Sequence, residues 1–219
     1  GLLITKGGIM FSDKDGDKTC RKCGYELESL THVLQRCLPN MPSITERHDS
    51  VVSRLVQAIK QGTRKDELLS VDRTARLDVQ SSQRPDIILE NVNTKEVVIC
   101  DVAICWESLR SMDWIYKHKI AKYERIEELY AKKGYKVTNS PIVVGNLGSW
   151  RPENDITTKS LGIDNGYLIR MIPLIAAQVI ELSKNIFWKH VYGSSYKDRP
   201  LHLPLLKQKG RKWETVASN

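Results

Sequence analysis

Val97-Val98-Ile99-Cys100-Asp101-Val102-Ala103-Ile104-Cys105 carries one acid inside an otherwise apolar run. A run this apolar and this rich in β-branched residues reads as a central strand buried on both faces. An isolated carboxylate at its middle costs several kcal/mol of desolvation unless something cationic compensates it. Just upstream, Asn91-Val92-Asn93-Thr94 has turn chemistry, and before it stands Arg84-Pro85-Asp86. A hairpin centred between Asn93 and Thr94 sets Asp86 opposite Asp101. Directly opposed residues hold their Cβ atoms about 4.5–5.5 Å apart, and like charges so placed repel. A hard divalent cation resolves both problems, and Mg²⁺ is commonly held by one or two carboxylates with water and phosphate. The plainer reading has Asp86 opening a strand and Asp101 pairing with an arginine.

The flanking segments supply the rest of a mixed α/β fold. Ser43-Ile44-Thr45-Glu46 has capping-box spacing and opens a helix. Its apolar face is Val51, Val52, Leu55, Val56 and Ile59, and Gly62 ends it. Strands are expected over Leu68 to Val79, Asp86 to Leu89 and Val97 to Cys105, then a helix from about Met112 to Lys133 closed by Gly134. Lys136 to Gly145 reads as a fourth strand despite Pro141, giving the order α-β-β-β-α-β. On the long helix Ile115, Lys119, Lys122 and Ile126 share one stripe. A parallel stripe of Tyr116, Ile120, Tyr123 and Tyr130 is expected against the sheet. After Trp150 a polar loop leads to a helical stretch from about Asn165 to Tyr192, with a bend expected at Pro173. The expected organisation is a lead-in and metal knuckle over 1–41, a core over 42–150, and a helical, basic extension over 151–219.

Cys20, Cys23, His32 and Cys37 offer four soft or borderline ligands within 18 residues. Zinc prefers four tetrahedral S and N donors, and a closed set of three cysteines and one histidine leaves no position for chemistry. The ion is therefore expected to be structural, replacing a core that so short a segment cannot build. Lys18, Arg21, Lys22 and Arg36 surround the ligands, which suits contact with nucleic acid. The eight-residue gap before His32 is longer than that of retroviral knuckles. Five cysteines cannot all pair within the chain, so metal ligation in a reducing compartment is favoured over disulfides.

Composition narrows the class further. With 41% hydrophobic and 27% charged residues, the chain of 219 residues has the makings of a packed domain and not of a disordered one. It shows neither an uninterrupted apolar run of about 18 residues nor a signal peptide. It opens Gly1-Leu2-Leu3 without methionine and is expected to be part of something longer. The net charge is +8, and from Lys184 to Lys212 eight Lys or Arg face one acid, Asp198. Phe187, Trp188, Tyr192 and Tyr196 are interleaved there, a pattern suited to phosphate neutralisation and base stacking.

The element order resembles the core of the PD-(D/E)xK nuclease superfamily, with Pro85-Asp86 as the PD and Asp101 as the second acid. Ala103 stands where the lysine of that pattern belongs, and it shares a strand face with Asp101. The resemblance therefore points to Lys119, or failing it Lys122, as a substitute supplied by the next helix. The CCHC set, the Arg47-His48-Asp49 triplet, Arg84-Pro85-Asp86, Asp101 and Lys119-x-x-Lys122-Tyr123 together resemble the restriction-like endonuclease end of R-two-type non-LTR retrotransposon polyproteins, over about Cys20 to Trp150. That resemblance implies a nuclear enzyme that nicks double-stranded target DNA to prime reverse transcription of element RNA. A polymerase domain of the same polyprotein would lie upstream. It implies Mg²⁺ on Asp86 and Asp101, with Asp49 and Tyr123 as accessory residues, and zinc in the knuckle. Two other readings fit the same residues: a decayed module that only binds nucleic acid, which Ala103 favours, and a structure-selective nuclease of the resolvase type.

Overall fold

Ile87–Asn91 (β2) and Glu96–Cys100 (β3) form the central hairpin of the computed structural model, which describes residues 5–8, 16–62, 66–78 and 82–193. The register runs from Ile87 opposite Cys100 to Asn91 opposite Glu96, the pairing expected from the turn. Asn91 Oδ1 accepts the N–H groups of Asn93 and Thr94 at 3.1 and 3.0 Å, and Lys95 closes the loop at φ +52°. Glu67–Val71 (β1) lies antiparallel on the free edge of β2, and Lys136–Asn139 (β5) lies parallel to β3. The first strand is shorter than the expected Leu68 to Val79. Asp72 turns the chain with φ +47° directly after Val71.

The third and fourth strands, expected to be continuous, each break once and at the same level. Beyond Asp101 the chain resumes as Val102–Cys105 (β4), which pairs in parallel with Ile142–Gly145 (β6). Pro141 has no N–H to give the ladder. The bonds straddle the gap instead: Ser140 N–H to Ile99 O and Ile142 N–H to Asp101 O, both 3.0 Å. The four-stranded sheet β1-β2-β3-β5 therefore gives way to a two-stranded β4-β6 ladder, with Asp101 at the seam.

The helices are Leu30–Gln35 (α1), Met41–Gly62 (α2), Leu109–Lys122 (α3), Glu124–Lys132 (α4), Asn154–Ser160 (α5) and Asn165–Tyr192 (α6). A 3-10 turn over Leu38–Asn40 runs straight into α2. Ser43 to Glu46 thus lies inside the first turns of the helix and is not its cap. The expected helix from Met112 to Lys133 is split at Tyr123, whose backbone leaves the helical region and whose N–H bonds Ile120 O at 3.0 Å. The split changes the phase of the stripes. Tyr123, Ile126 and Tyr130 are buried together against Ile88, Val97 and Ile99, so Ile126 leaves the lysine stripe and joins the sheet-facing one. Within the expected polar loop α5 forms, because the buried Asn154 clamps β6 through Val143 N–H and O at 2.9 and 2.8 Å.

The largest core lies between α2, the sheet and α6. Val51, Leu55 and Ile59 pack with Ile87, Leu89, Val102 and Ile142, and with Leu168, Met171, Ile175 and Val179 of α6. Fully burying such side chains contributes about 1.5–3 kcal/mol each. Among the described residues α6 is long and apolar enough to cross a membrane. Its residues at helical spacing from Leu168 to His190 are instead buried within the fold, and it runs through Pro173. The basic, aromatic segment foreseen from Lys184 onward lies outside the described residues after Gly193. Before that point Phe187 is buried, while Trp188 stacks on Tyr192 at 4.9 Å.

Candidate functional site

The broken strands supply one candidate site. Where β3 stops, Asp86 Oδ2 accepts the Val102 N–H at 2.6 Å. The same oxygen lies 3.2 Å from His48 Nε2 on α2, which is also 3.2 Å from Val102 O. His48 Nδ1 meets Asp49 Oδ1 at 3.0 Å. Burial pushes the His48 imidazolium down, but Asp86 and then Asp49 outweigh it and hold its pKa up at about 9. Asp49 itself is largely exposed and touches the site only through His48.

Asp101 is buried and is compensated from the helix side. Lys119 Nζ donates to its Oδ2 and the Tyr123 hydroxyl to its Oδ1, while Lys122 Nζ sits 3.7 Å from Oδ1. Its cationic partners are thus lysines, not an arginine. Burial, and then the hydrogen bond to Asp101, push the Tyr123 hydroxyl well above its usual range, so it stays a donor. Burial and then the charges of Asp86 and Asp101 likewise raise the Cys100 thiol, because both carboxylates act on it. Ala103 packs with Cys105, Met112 and Val143 and against Ile115 and Tyr116. Helix α3 fills that face, so a lysine reaches Asp101 from α3 where the strand position has no room for one.

Asp86 keeps one oxygen that a hard cation could take. Among the described residues no hydrogen bond falls on Asp86 Oδ1, and the side chains of Asp86 and Lys119 are 17% and 23% exposed. Among the described residues that Asp86 oxygen thus has no partner, while both oxygens of the buried Asp101 are taken by Lys119 and Tyr123. Mg²⁺ takes such oxygens with several waters.

The second site is the knuckle. One ligand atom from each of Cys20, Cys23, His32 and Cys37 lies within 4.8 Å of every other. Cys20 and Cys37 Sγ are 3.8 Å apart, and Cys23 Sγ is 3.3 Å from His32 Nε2. Such spacings match the edges of a tetrahedron with Zn–S about 2.3 Å and Zn–N about 2.0–2.1 Å. Burial lowers the His32 pKa and so favours the neutral imidazole that ligates metal. Burial and the neighbouring Cys20 thiol push Cys37 up to about 12, a cost that a cation between the sulfurs would remove. The cluster therefore has the donors, spacing and electrostatics to hold zinc.

The knuckle does not stand free. Val33 and Leu34 of α1 pack on Ile186 and Phe187 of α6, and Arg47 donates to Leu34 O at 2.9 Å and Ser183 Oγ at 2.8 Å. Arg47 and His48 thus hold structural and site contacts that sequence reasoning had not assigned. Their presence in the Arg47-His48-Asp49 triplet was the available signal. Glu28, Asn40 and His190 around the knuckle carried none.

No family model matches this chain. It is similar to several proteins described as the retrovirus-related Pol polyprotein from type-1 retrotransposable element R2 of Popillia japonica. One is 31% identical over 167 residues, covering 74% of this chain and 33% of the relative. A second is 24% identical over 193 residues, covering 84% and 42%, and a third 25% over 172 residues, covering 75% and 23%. The chain thus spans about a quarter to two fifths of the length of these curated relatives.

Proposed function

This chain is homologous to the Pol polyproteins of type-1 retrotransposable element R2, and from that premise we propose that it is a metal-dependent DNA endonuclease acting in the nucleus. It would nick double-stranded target DNA, so that the freed 3′ end primes reverse transcription of element RNA by a polymerase domain of the same polyprotein. The observation that carries the reading is Asp101. It sits at the seam of two broken parallel strands, beside Asp86 and under Lys119.

Asp86 and Asp101 would hold Mg²⁺, which lowers the pKa of a bound water and offsets charge on a scissile phosphate. Lys119, partly exposed and already at Asp101, would face that phosphate and stabilise the negative charge that develops on it. Lys122, more exposed, would contact the DNA backbone near the cut. Tyr123 orients Asp101 by donating to it, and His48 orients Asp86 from α2. The knuckle would hold zinc and add basic surface beside the nuclease core.

The test is nicking of supercoiled plasmid by the purified chain with and without Mg²⁺, on the parent and Asp101→Asn. Nicking that needs both Mg²⁺ and Asp101 supports the proposal. DNA binding without any cut by the parent would favour a module that only binds, the reading to which Ala103 lends support. Preference for branched over linear duplex would shift the assignment to a structure-selective nuclease.

A further inference from the structure

His190, near the end of α6, lies 170 residues from Cys20 yet shares its buried pocket. Its ring meets Cys20 Sγ at 3.7 Å through Nε2 and Cys37 Sγ at 3.8 Å through Nδ1. The surrounding hydrogen bonds assign its proton. Asn40 Nδ2 donates to Val33 O at 3.0 Å, so the same amide nitrogen, 3.0 Å from His190 Nδ1, must donate there too. Nδ1 is then an acceptor and Nε2 carries the hydrogen, which points at Glu28 Oε2 at 3.0 Å and within reach of Cys20 Sγ. Glu28 is itself fixed, accepting from Arg21 Nη2 at 2.7 Å and from the backbone N–H groups of Lys6 and Arg21 at 2.9 and 2.8 Å. Burial opposes its charge, but Arg21 above all holds its carboxyl at about 2.

Glu28, His190, Cys20 and Cys37 are all buried, whereas Cys23 is exposed. The Cys20 and Cys37 side of the donor set is therefore walled by a histidine from the far end of the chain; His32 is buried as well, and of the four donors Cys23 opens to solvent. Metal sites are held by such partners beyond the ligands, which orient the donors and exclude water. The apolar contact beside it, Val33 and Leu34 on Ile186 and Phe187, ties the same two elements.

We infer that His190, anchored by Glu28 and Asn40, is a positioning residue of the zinc site, so that the ion clamps the last turns of α6 onto the knuckle. Metal loading and docking of that helix are then one event. The inference rests on the zinc reading of the knuckle and is independent of any nuclease activity.

The experiment measures zinc affinity by competition with a chromophoric chelator, and hydrogen exchange over residues 183–192, on the full chain. The variants are His190→Ala, Glu28→Gln and, as control, Phe187→Ala, which loosens the same interface without touching the ring. His190→Ala and Glu28→Gln should keep one zinc per chain and bind it about 10–100-fold more weakly. Phe187→Ala should change affinity far less. Chelation should speed exchange over 183–192 in the parent, and His190→Ala should already show faster exchange with zinc bound. Unchanged affinity in both His190→Ala and Glu28→Gln overturns the inference, as does an equal loss in Phe187→Ala, which would reduce the effect to packing. Complete loss of zinc from His190→Ala makes the ring a ligand and overturns the positioning role. A parent chain without zinc overturns the zinc reading together with the inference, and nicking by that zinc-free chain would leave the proposed function standing.

Discussion

Neutralising Asp101 tests whether its charge serves the fold, the chemistry, or both. Were Asp101 uncompensated beside Asp86, Asp101→Asn would stabilise the protein. With Lys119 on Oδ2 and Tyr123 on Oδ1 the sign reverses, because the substitution strips a half-buried ammonium of its partner. Removing one member of a fully buried pair costs about 3–5 kcal/mol. Lys119 is 23% exposed and can turn toward water, so the lower range for a hydrogen bond to a charged group, about 1.5–3 kcal/mol, applies. For a chain of this size each kcal/mol moves the melting temperature by about 2–4 °C, so Asp101→Asn should melt roughly 3–12 °C below the parent. Asp101→Asn with Lys119→Met removes both charges and should recover part of that loss. The cycle should give a coupling of about 1–2 kcal/mol. Neither variant should nick DNA with Mg²⁺. Melting at pH 7 gives the first quantity and plasmid nicking the second. Asp101→Asn melting at or above the parent would refute the pairing, and undiminished nicking would refute the metal role.

Lys119→Ala should lower the nicking rate by about 10²–10³-fold at saturating Mg²⁺, by analogy with deletion of one transition-state donor, and Lys122→Ala by less. A single-turnover assay on equally folded protein separates them. Ala103→Lys should not restore activity to Lys119→Ala, because Met112, Val143 and Tyr116 fill that face, and its melting temperature should fall from overpacking. The purified chain should carry one zinc by elemental analysis, and His32→Ala should lose it and also lower the melting temperature, since α1 packs on α6. Glu90 supplies a pH test. Burial opposes its charge, but Arg76 and then Tyr135 hold its carboxyl below the ordinary range. A lowered folded pKa gives stability that is full above the ordinary carboxylate value of about 4.3 and is lost as pH falls through the folded value. Glu90→Gln should therefore unfold more easily than the parent in urea at pH 7, and the gap should close on acidification below about pH 4. A gap unchanged by pH would contradict this.

The sequence by itself determined what short-range chemistry controls. The hairpin register followed from Asn91-Val92-Asn93-Thr94, because the period of two along a strand makes a turn of known centre assign every partner. The knuckle donors followed from spacing within one short segment, and the element order from hydrophobic periodicity. The tertiary structure decided what depends on groups far apart in sequence. Asp101 has lysine and tyrosine partners because α3 and α4 cross the seam, and no pattern local to 97–105 encodes which cation arrives there. Both central strands break because Pro141 on one and Asp101 on the other fall at the same level, which a single strand cannot reveal. The split at Tyr123 moved Ile126 from one face to another by altering helical phase. His48 acquires a role only when α2 lies over Asp86. His190 and Glu28 meet the knuckle only after the chain has closed on itself, since no local periodicity reports a contact across 162 residues.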